Sequence, residues 1–223
     1  ESEDSEVVEH VWHEVQAKFD TSLAVEKSTL ECFYSAEEYH QDYLQKNPEG
    51  YCHLSLQTLN LAKKYSAICR ELRSCSTEEK REVLPRFFKT GKGEYGEGDR
   101  FMGVVVPETR KVAKNHSDAS WDVLEALLES EWHECRLCAL VILVNRFKKQ
   151  PDETVEFYLS HTKGINNWDL VDLSAPYILG SYMVDRSDRK VLYELAASKN
   201  MWEQRISVVS TLMLIRHGQF ADT

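Results

Sequence analysis

The chain has 223 residues, of which 29% are charged and 42% hydrophobic, as in ordinary globular proteins. No stretch approaches the roughly 18 consecutive apolar residues of a membrane span, since the longest apolar run, 137–144, ends at Asn145 and Arg146. The acidic start, Glu1-Ser-Glu-Asp4, excludes a secretory signal peptide, and we therefore expect a cytoplasmic protein.

The formal net charge of −10 is confined to the first quarter of the chain. Residues 1–58 hold 3 Lys and Arg against 13 Asp and Glu, whereas residues 59–223 hold 24 of each sign. Nucleic-acid binding needs Lys and Arg clustered on one face, which a domain without net charge can still provide. The composition therefore permits DNA binding by the second part without predicting it.

The six cysteines do not form a recognisable disulfide or metal pattern, because nothing else indicates secretion and no paired Cys/His spacing suggests zinc. Cys135 and Cys138 have redox-motif spacing but lie in an apolar, helix-like run. We predict that both are small core residues of one helix, and we expect neither a metal nor a cofactor.

The pattern changes near Asn60. Before it, residues 23–33 are short and strand-like, residues 34–43 are aromatic and polar, and Lys46-Asn-Pro-Glu-Gly50 is typical of a turn. We predict a short irregular segment of mixed α and β character over 1–58 and a helical domain over 59–223.

Helix-period spacing of apolar residues dominates the second part. The predicted helices are 60–74, 77–88, 107–115, 119–130, 132–149, 151–161, 167–182, 187–199 and 201–217. Capping residues support these limits, with Thr77 and Asp188 suited to N-termini, Pro107 and Pro151 to first turns, and Gly218 to a C-terminus.

Helices of this length joined by short polar turns predict an all-α, HEAT-like solenoid of stacked antiparallel helix pairs. The concave side of such a stack is an extended groove that suits a duplex. One long segment, 89–103, interrupts the helices and holds five of the nine glycines. Its Gly91-x-Gly93-x-x-Gly96 follows a helix rather than a strand, so we predict a structured linker and not a nucleotide-binding loop.

The strongest candidates for functional residues follow Asn167. This residue can cap a helix and place Trp168 and Asp172 one turn apart on one face. On a later helix, Trp202 and Arg205 lie on adjacent turns. Such groups could hold a phosphodiester backbone while the carboxylate faces a sugar. The alternative is a core tryptophan beside a solvated aspartate.

Three motifs in order resemble the AlkD-type alkylpurine DNA glycosylases: Phe87 to Gly103, Val106-Pro-Glu-Thr-Arg110, and Asn166-Asn-Trp-Asp-Leu-Val-Asp172. The resemblance covers about residues 59–223 and implies a HEAT-repeat protein that acts on cationic N3- and N7-alkylated purines in double-stranded DNA. It also implies roles for three residues: Asp172 as the catalytic carboxylate, Trp168 as an aromatic along the DNA backbone, and Arg205 as a backbone contact.

Further cations are candidate phosphate contacts, with a solvated surface charge as the alternative for each: Lys148, Lys149, Lys163, Arg186, Arg189, Lys190 and Arg216. We expect a monomer. Because the resembled family continues for several helices beyond the position of Thr223, we also expect that C-terminal helices are missing here.

Residues 33–52 resemble the carboxyl-terminal end of A-type peptide methionine sulfoxide reductases. That resemblance implies that Cys52 is a resolving thiol whose nucleophilic partner belongs to a motif absent from this sequence. Three hypotheses therefore stand: a glycosylase for alkylated DNA, a non-catalytic helical module that binds DNA or protein, and a fragment of a fused methionine sulfoxide reductase.

Overall fold

The computed structural model describes residues 9, 11–13, 15–18, 43–47 and 55–223 of the chain. The chain divides into two compact units, Glu1–His53 and Leu54–Thr223. The first contains a four-residue helix, α1 (Tyr43–Lys46), closed by a hydrogen bond from the Asn47 amide to the Tyr43 carbonyl. The strand-like stretch 23–33 and Cys52 lie outside the described residues.

The second unit is built from helices. In chain order they are α2 (Leu56–Ser74), α3 (Glu78–Phe87), α4 (Val106–Asn115), α5 (Trp121–Leu128), α6 (His133–Phe147), α7 (Pro151–Ser160), a 3-10 helix (Thr162–Gly164), α8 (Trp168–Ser174), a π-helix (Pro176–Gly180), α9 (Ser181–Met183), α10 (Lys190–Ala196) and α11 (Met201–Arg216). Eight of the nine predicted helices of the second part are confirmed with ends shifted by a few residues, and the ninth, 167–182, is divided.

Local capping explains most of these limits. Thr77 accepts a hydrogen bond from the Lys80 amide at the start of α3, and Asp188 accepts one from the Lys190 amide at the start of α10. Pro107 and Pro151 lie in the first turns of α4 and α7, as predicted. Gly218 follows α11 with a φ of 71°, a conformation that favours glycine.

The predicted single helix 167–182 is three elements. Pro176 has no amide hydrogen to donate, and the following turn widens so that the Gly180 amide bonds the Ala175 carbonyl five residues back. Periodicity alone did not reveal this change because the apolar spacing continues through it.

Helix α6 lies at the centre of the core. It packs against α2, α4, α5, α7, α8 and the π-helix, and α11 in turn packs against α8, the π-helix and α10. Cys135 and Cys138 are fully buried on α6, which confirms them as core residues. Between residues 55 and 223 no β-sheet forms, and the unit is an all-α helical array as predicted.

The glycine-rich segment between α3 and α4 is anchored, as the predicted linker requires. The buried Glu134 carboxylate accepts hydrogen bonds from the amides of Met102, Gly103 and Val104 at 2.8 to 3.0 Å. The Gly103 carbonyl in turn accepts a bond from the Thr77 amide. None of the helices in the described part of the chain is long and apolar enough to cross a membrane.

Candidate active site

Helix α8 carries two of the candidate site residues, Trp168 and Asp172, and begins directly after Asn167. The buried Asn167 side chain accepts a hydrogen bond from the Trp168 amide at 2.9 Å and fixes the helix start. Trp168 and Asp172 consequently lie one turn apart, at helical positions i and i+4.

Asp172 and Arg205 are joined by two parallel hydrogen bonds. Arg205 Nε donates to Asp172 Oδ1 at 2.9 Å, and Arg205 Nη2 donates to Asp172 Oδ2 at 2.7 Å. The pair forms because α11 packs against α8, although the two residues are 33 positions apart in sequence. Hydrogen bonding to the carboxylate raises the pKa of Arg205.

The Asp172–Arg205 pair is open to solvent and is not an element of the core. The Asp172 side chain is 40% exposed and the Arg205 side chain 42%. A carboxylate oxygen has more than one lone pair, so Asp172 can still accept hydrogen bonds from a water molecule or a ligand.

Trp168 is half-buried in an aromatic cluster. Its ring stacks on Phe88 with centroids 5.4 Å apart, and Phe87 meets it edge-on at 5.9 Å. Trp168 also borders an open groove of about 590 Å³ that it shares with Tyr95 and Arg205. Trp202, by contrast, is buried and meets Tyr95 edge-on, so it is mainly a packing residue.

A buried histidine that the sequence did not single out lies behind this cluster. His133 Nδ1 is 3.0 Å from Asp99 Oδ2, and His133 Nε2 is 2.8 Å from Asp169 Oδ2. Burial by itself would lower the pKa of His133, but the two carboxylates outweigh it and raise the pKa. Arg136 also bonds Asp99. His133 therefore links the glycine-rich segment to the first turn of α8, next to Trp168.

Two cations also missed by the sequence analysis line a groove that borders α8. Arg110 and Lys114, one turn apart on α4, line an open groove of about 570 Å³ together with Leu173 and Tyr177. Both are exposed, and neither makes an ion pair with a residue that the structure describes. Arg110 lies in one of the motifs of the family resemblance, and its i, i+4 relation to Lys114 was the available signal.

The predicted phosphate contacts differ in how exposed their side chains are and in whether a carboxylate already pairs with them. Lys148, Lys149 and Lys163 are exposed, and Lys149 borders a groove that shares Ser117 and Asn145 with the Arg110 groove. Arg216 is also exposed, and its side chain lies 3.8 Å from the Met213 sulfur.

Arg186 and Lys190 are exposed but paired. Arg186 bonds Asp152 at 2.8 Å, and the Lys190 amine bonds Glu194 at 3.1 Å.

Arg189 has a different environment from the one expected of a phosphate contact. Its guanidinium donates to Asp222 at 2.5 Å, to the Gln219 side chain, and to the carbonyls of Met183 and Arg186. With its side chain only 13% exposed, Arg189 fastens the last residues of the chain to the end of α9. Its charge is paired within the protein, so the prediction of a phosphate contact is not retained for Arg189.

Among the described residues, no group of three or more His, Cys, Asp or Glu side chains is arranged to hold a metal ion.

Comparison with known proteins separates the two parts of the chain. Residues 1–70 match the family model described as peptide methionine sulfoxide reductase. The chain is 55% identical over 42 residues to peptide methionine sulfoxide reductase MsrA of Alkaliphilus metalliredigens, which is 19% of this chain and 27% of that protein. It is 45% identical over 60 residues to the MsrA of Lachnoclostridium phytofermentans, 27% of this chain and 36% of that protein.

The chain thus spans about a third of the length of the curated relatives it matches. No solved structure is significantly similar to it. Residues 68–223, well over half of the chain, match the family model described as DNA alkylation repair enzyme. With its all-α architecture and the site on α8 and α11, the chain belongs to the family of DNA alkylation repair enzymes.

Proposed function

We propose that the protein is a DNA glycosylase that hydrolyses the N-glycosidic bond of cationic N3- and N7-alkylated purines in duplex DNA. The observation that carries the proposal is the solvent-accessible Asp172 carboxylate, oriented by two hydrogen bonds from Arg205 and placed one turn from Trp168. It stands within a chain of the DNA alkylation repair enzyme family.

The chemistry needs little more than such a carboxylate. An N-alkylated purine already carries positive charge, so the base leaves without a general acid. The sugar then develops oxocarbenium character, which a nearby carboxylate stabilises electrostatically while it orients the attacking water. The products are the free alkylated base and an abasic site.

Arg205 suits two tasks at once. Its Nε and Nη2 atoms hold Asp172 in a fixed orientation, and its Nη1 atom makes no hydrogen bond with a described residue, so it is available for a phosphate oxygen. Trp168, which stacks on Phe88 and borders the groove beside Arg205, would contact the sugar-phosphate backbone.

Duplex binding requires cations beyond the carboxylate pair. Arg110 and Lys114 border the groove beside α8, and Lys149 borders the adjoining one. We propose these three, together with the exposed Lys148, Lys163 and Arg216, as phosphate contacts. The paired Arg186 and Lys190 would first have to exchange their carboxylate partners.

The direct test is release of 7-methylguanine from methylated duplex DNA by the full chain under single-turnover conditions. Asp172→Asn keeps the shape of the side chain but removes its charge, and we expect base release to fall about 100- to 1,000-fold while duplex affinity is retained. The control is Asp185→Asn, which neutralises another exposed aspartate and should release base as the wild type does.

Equal rates for wild type and Asp172→Asn would refute the catalytic assignment. Salt-dependent duplex binding without any base release would instead favour the non-catalytic binding module.

A second function is favoured by the match of residues 1–70. We propose that residues 1–58 are the C-terminal part of a methionine sulfoxide reductase unit, with Cys52 as its resolving thiol, and that the alkylation repair domain is 59–223. Reduction of a methionine sulfoxide peptide by a longer parent protein, lost in its Cys52→Ser variant after one turnover, would support this division.

A further inference from the structure

Two core cysteines on different helices of the second unit face each other. The Cys69 sulfur on α2 lies 3.6 Å from the Cys135 sulfur on α6. Cys135 is fully buried, whereas Cys69 keeps 9% of its surface exposed. Cys69 is thus the less completely buried member of the pair.

The two thiols differ in acidity. A hydrogen bond from the Cys135 thiol lowers the pKa of Cys69 to about 7, with the Tyr65 hydroxyl and the Arg73 charge acting in the same direction. The same hydrogen bond, together with burial, raises the pKa of Cys135. Cys69 is thus the nucleophilic member, because the thiolate is the reactive form of cysteine.

Neither of the other described cysteines shares this arrangement. Cys138 lies one turn from Cys135 on α6, but it makes no hydrogen bond to Cys69, and burial raises the pKa of its thiol to about 12. Cys75 follows α2, packs against the edge of the core, and lies within hydrogen-bond distance of the Ser74 hydroxyl, at 4.0 Å.

We propose that Cys69 and Cys135 are an oxidation site that reacts with hydroperoxides and closes a disulfide between α2 and α6. The proposal is independent of base release. It concerns a contact between α2 and α6, whereas Asp172 and Arg205 lie on α8 and α11.

The reaction has two steps. The Cys69 thiolate attacks one oxygen of hydrogen peroxide, the O–O bond breaks, and Cys69 becomes a sulfenic acid as hydroxide leaves and takes up a proton to form water. The Cys135 sulfur then attacks the Cys69 sulfur, the S–O bond breaks, and a second water leaves with the thiol proton. Two thiols and one peroxide thus yield one disulfide and two waters.

The geometry requires only a modest movement. The sulfur atoms must approach by about 1.5 Å to reach a disulfide bond length of about 2.05 Å, which side-chain rotation and small helix shifts can supply. Because the bond would join residues 66 positions apart, it would restrict the unfolded chain and raise the thermal midpoint.

The test is peptide mapping of the full chain after treatment with hydrogen peroxide and alkylation of the remaining thiols. Trypsin places each of the six cysteines in a different peptide and cuts at Arg136, between Cys135 and Cys138. We expect peptide 65–70 linked to peptide 115–136, lighter than the two reduced peptides by two hydrogen atoms and separated again by dithiothreitol.

Matched variants identify the partners. Cys75→Ala and Cys138→Ala should retain the linked peptide and the oxidation-dependent rise in thermal midpoint, whereas Cys69→Ala and Cys135→Ala should lose both. The proposal is overturned if peroxide leaves Cys69 alkylatable, drives it to sulfinic acid without a linked peptide, or links it to Cys75 or Cys138. Mapping of the wild type decides this even if a variant folds poorly.

Discussion

Arg205 donates one hydrogen bond to each carboxylate oxygen of Asp172, with donor–acceptor distances of 2.9 and 2.7 Å across the contact between α11 and α8. A lysine at this position would keep the positive charge but could not make two parallel hydrogen bonds. The orientation of the carboxylate would then be lost while the net charge of the site stays the same.

We therefore expect Arg205→Lys to slow base release by up to about 100-fold, because a misplaced catalytic group costs rate even when it is present. Arg205→Gln should slow release as well and should also reduce the slope of log Kd against log salt by about 1, since one phosphate-facing charge is removed. Single-turnover rates and a salt titration measure the two effects. A lysine variant as fast as wild type would show that the paired geometry is not needed.

His133 should make stability depend on pH. Its pKa is raised in the folded protein, so its contribution is fully present below the unfolded value of about 6.5 and is lost as the pH rises through the folded pKa. We expect the urea midpoint of the wild type to fall across that window relative to His133→Gln, which has no imidazole to titrate.

The comparison with the variant matters because Cys69, whose pKa is lowered, contributes in the opposite direction as the pH rises. His217→Gln is the control, since the His217 side chain is exposed and its ring Nδ1 bonds the Met213 carbonyl at 2.8 Å. If the His133→Gln and wild-type curves run parallel, folding does not raise the pKa of His133.

Gly103 and Gly98 permit a matched test of how tightly the glycine-rich segment packs. Both have a positive φ, 88° and 85°, but a Cβ at Gly103 would lie 2.7 Å from the Arg81 amide and the Thr77 carbonyl, whereas a Cβ at Gly98 meets nothing within 4 Å.

Gly98→Ala should lower the free energy of unfolding by about 1–2 kcal/mol, from backbone strain alone. Gly103→Ala should lower the free energy of unfolding clearly more, because a clash with the backbone of α3 is added to the same strain. Urea unfolding of the two variants measures the difference, and equal losses would indicate that the contact between Gly103 and the start of α3 relaxes freely.

Glu134 should be the main anchor of the same segment. Its buried carboxylate accepts three amide hydrogen bonds, and Gln in its place would offer one acceptor oxygen and turn an NH₂ group toward the same donors. We expect Glu134→Gln to lower the free energy of unfolding by about 3 kcal/mol. Glu131→Gln, which alters an exposed carboxylate paired with Arg100, is the control and should change it little. Similar losses in the two variants would contradict the anchoring role.

The helices were predictable because their signals are local. Periodic apolar residues, the Thr77 and Asn167 caps and the prolines of the first turns act within a few residues of one another, and so does the spacing that places Trp168 above Asp172. The three ordered motifs also indicated the family, and the match over residues 68–223 establishes it.

The contacts between side chains far apart in sequence were decided only by the packing of one helix on another. Arg205 reaches Asp172 across 33 positions, His133 lies between aspartates 34 and 36 positions away, and Arg189 pairs with Asp222 instead of facing outward. Periodicity and capping act over about one helical turn, whereas these contacts depend on how helices stack and on which polar groups must be paired once burial removes water.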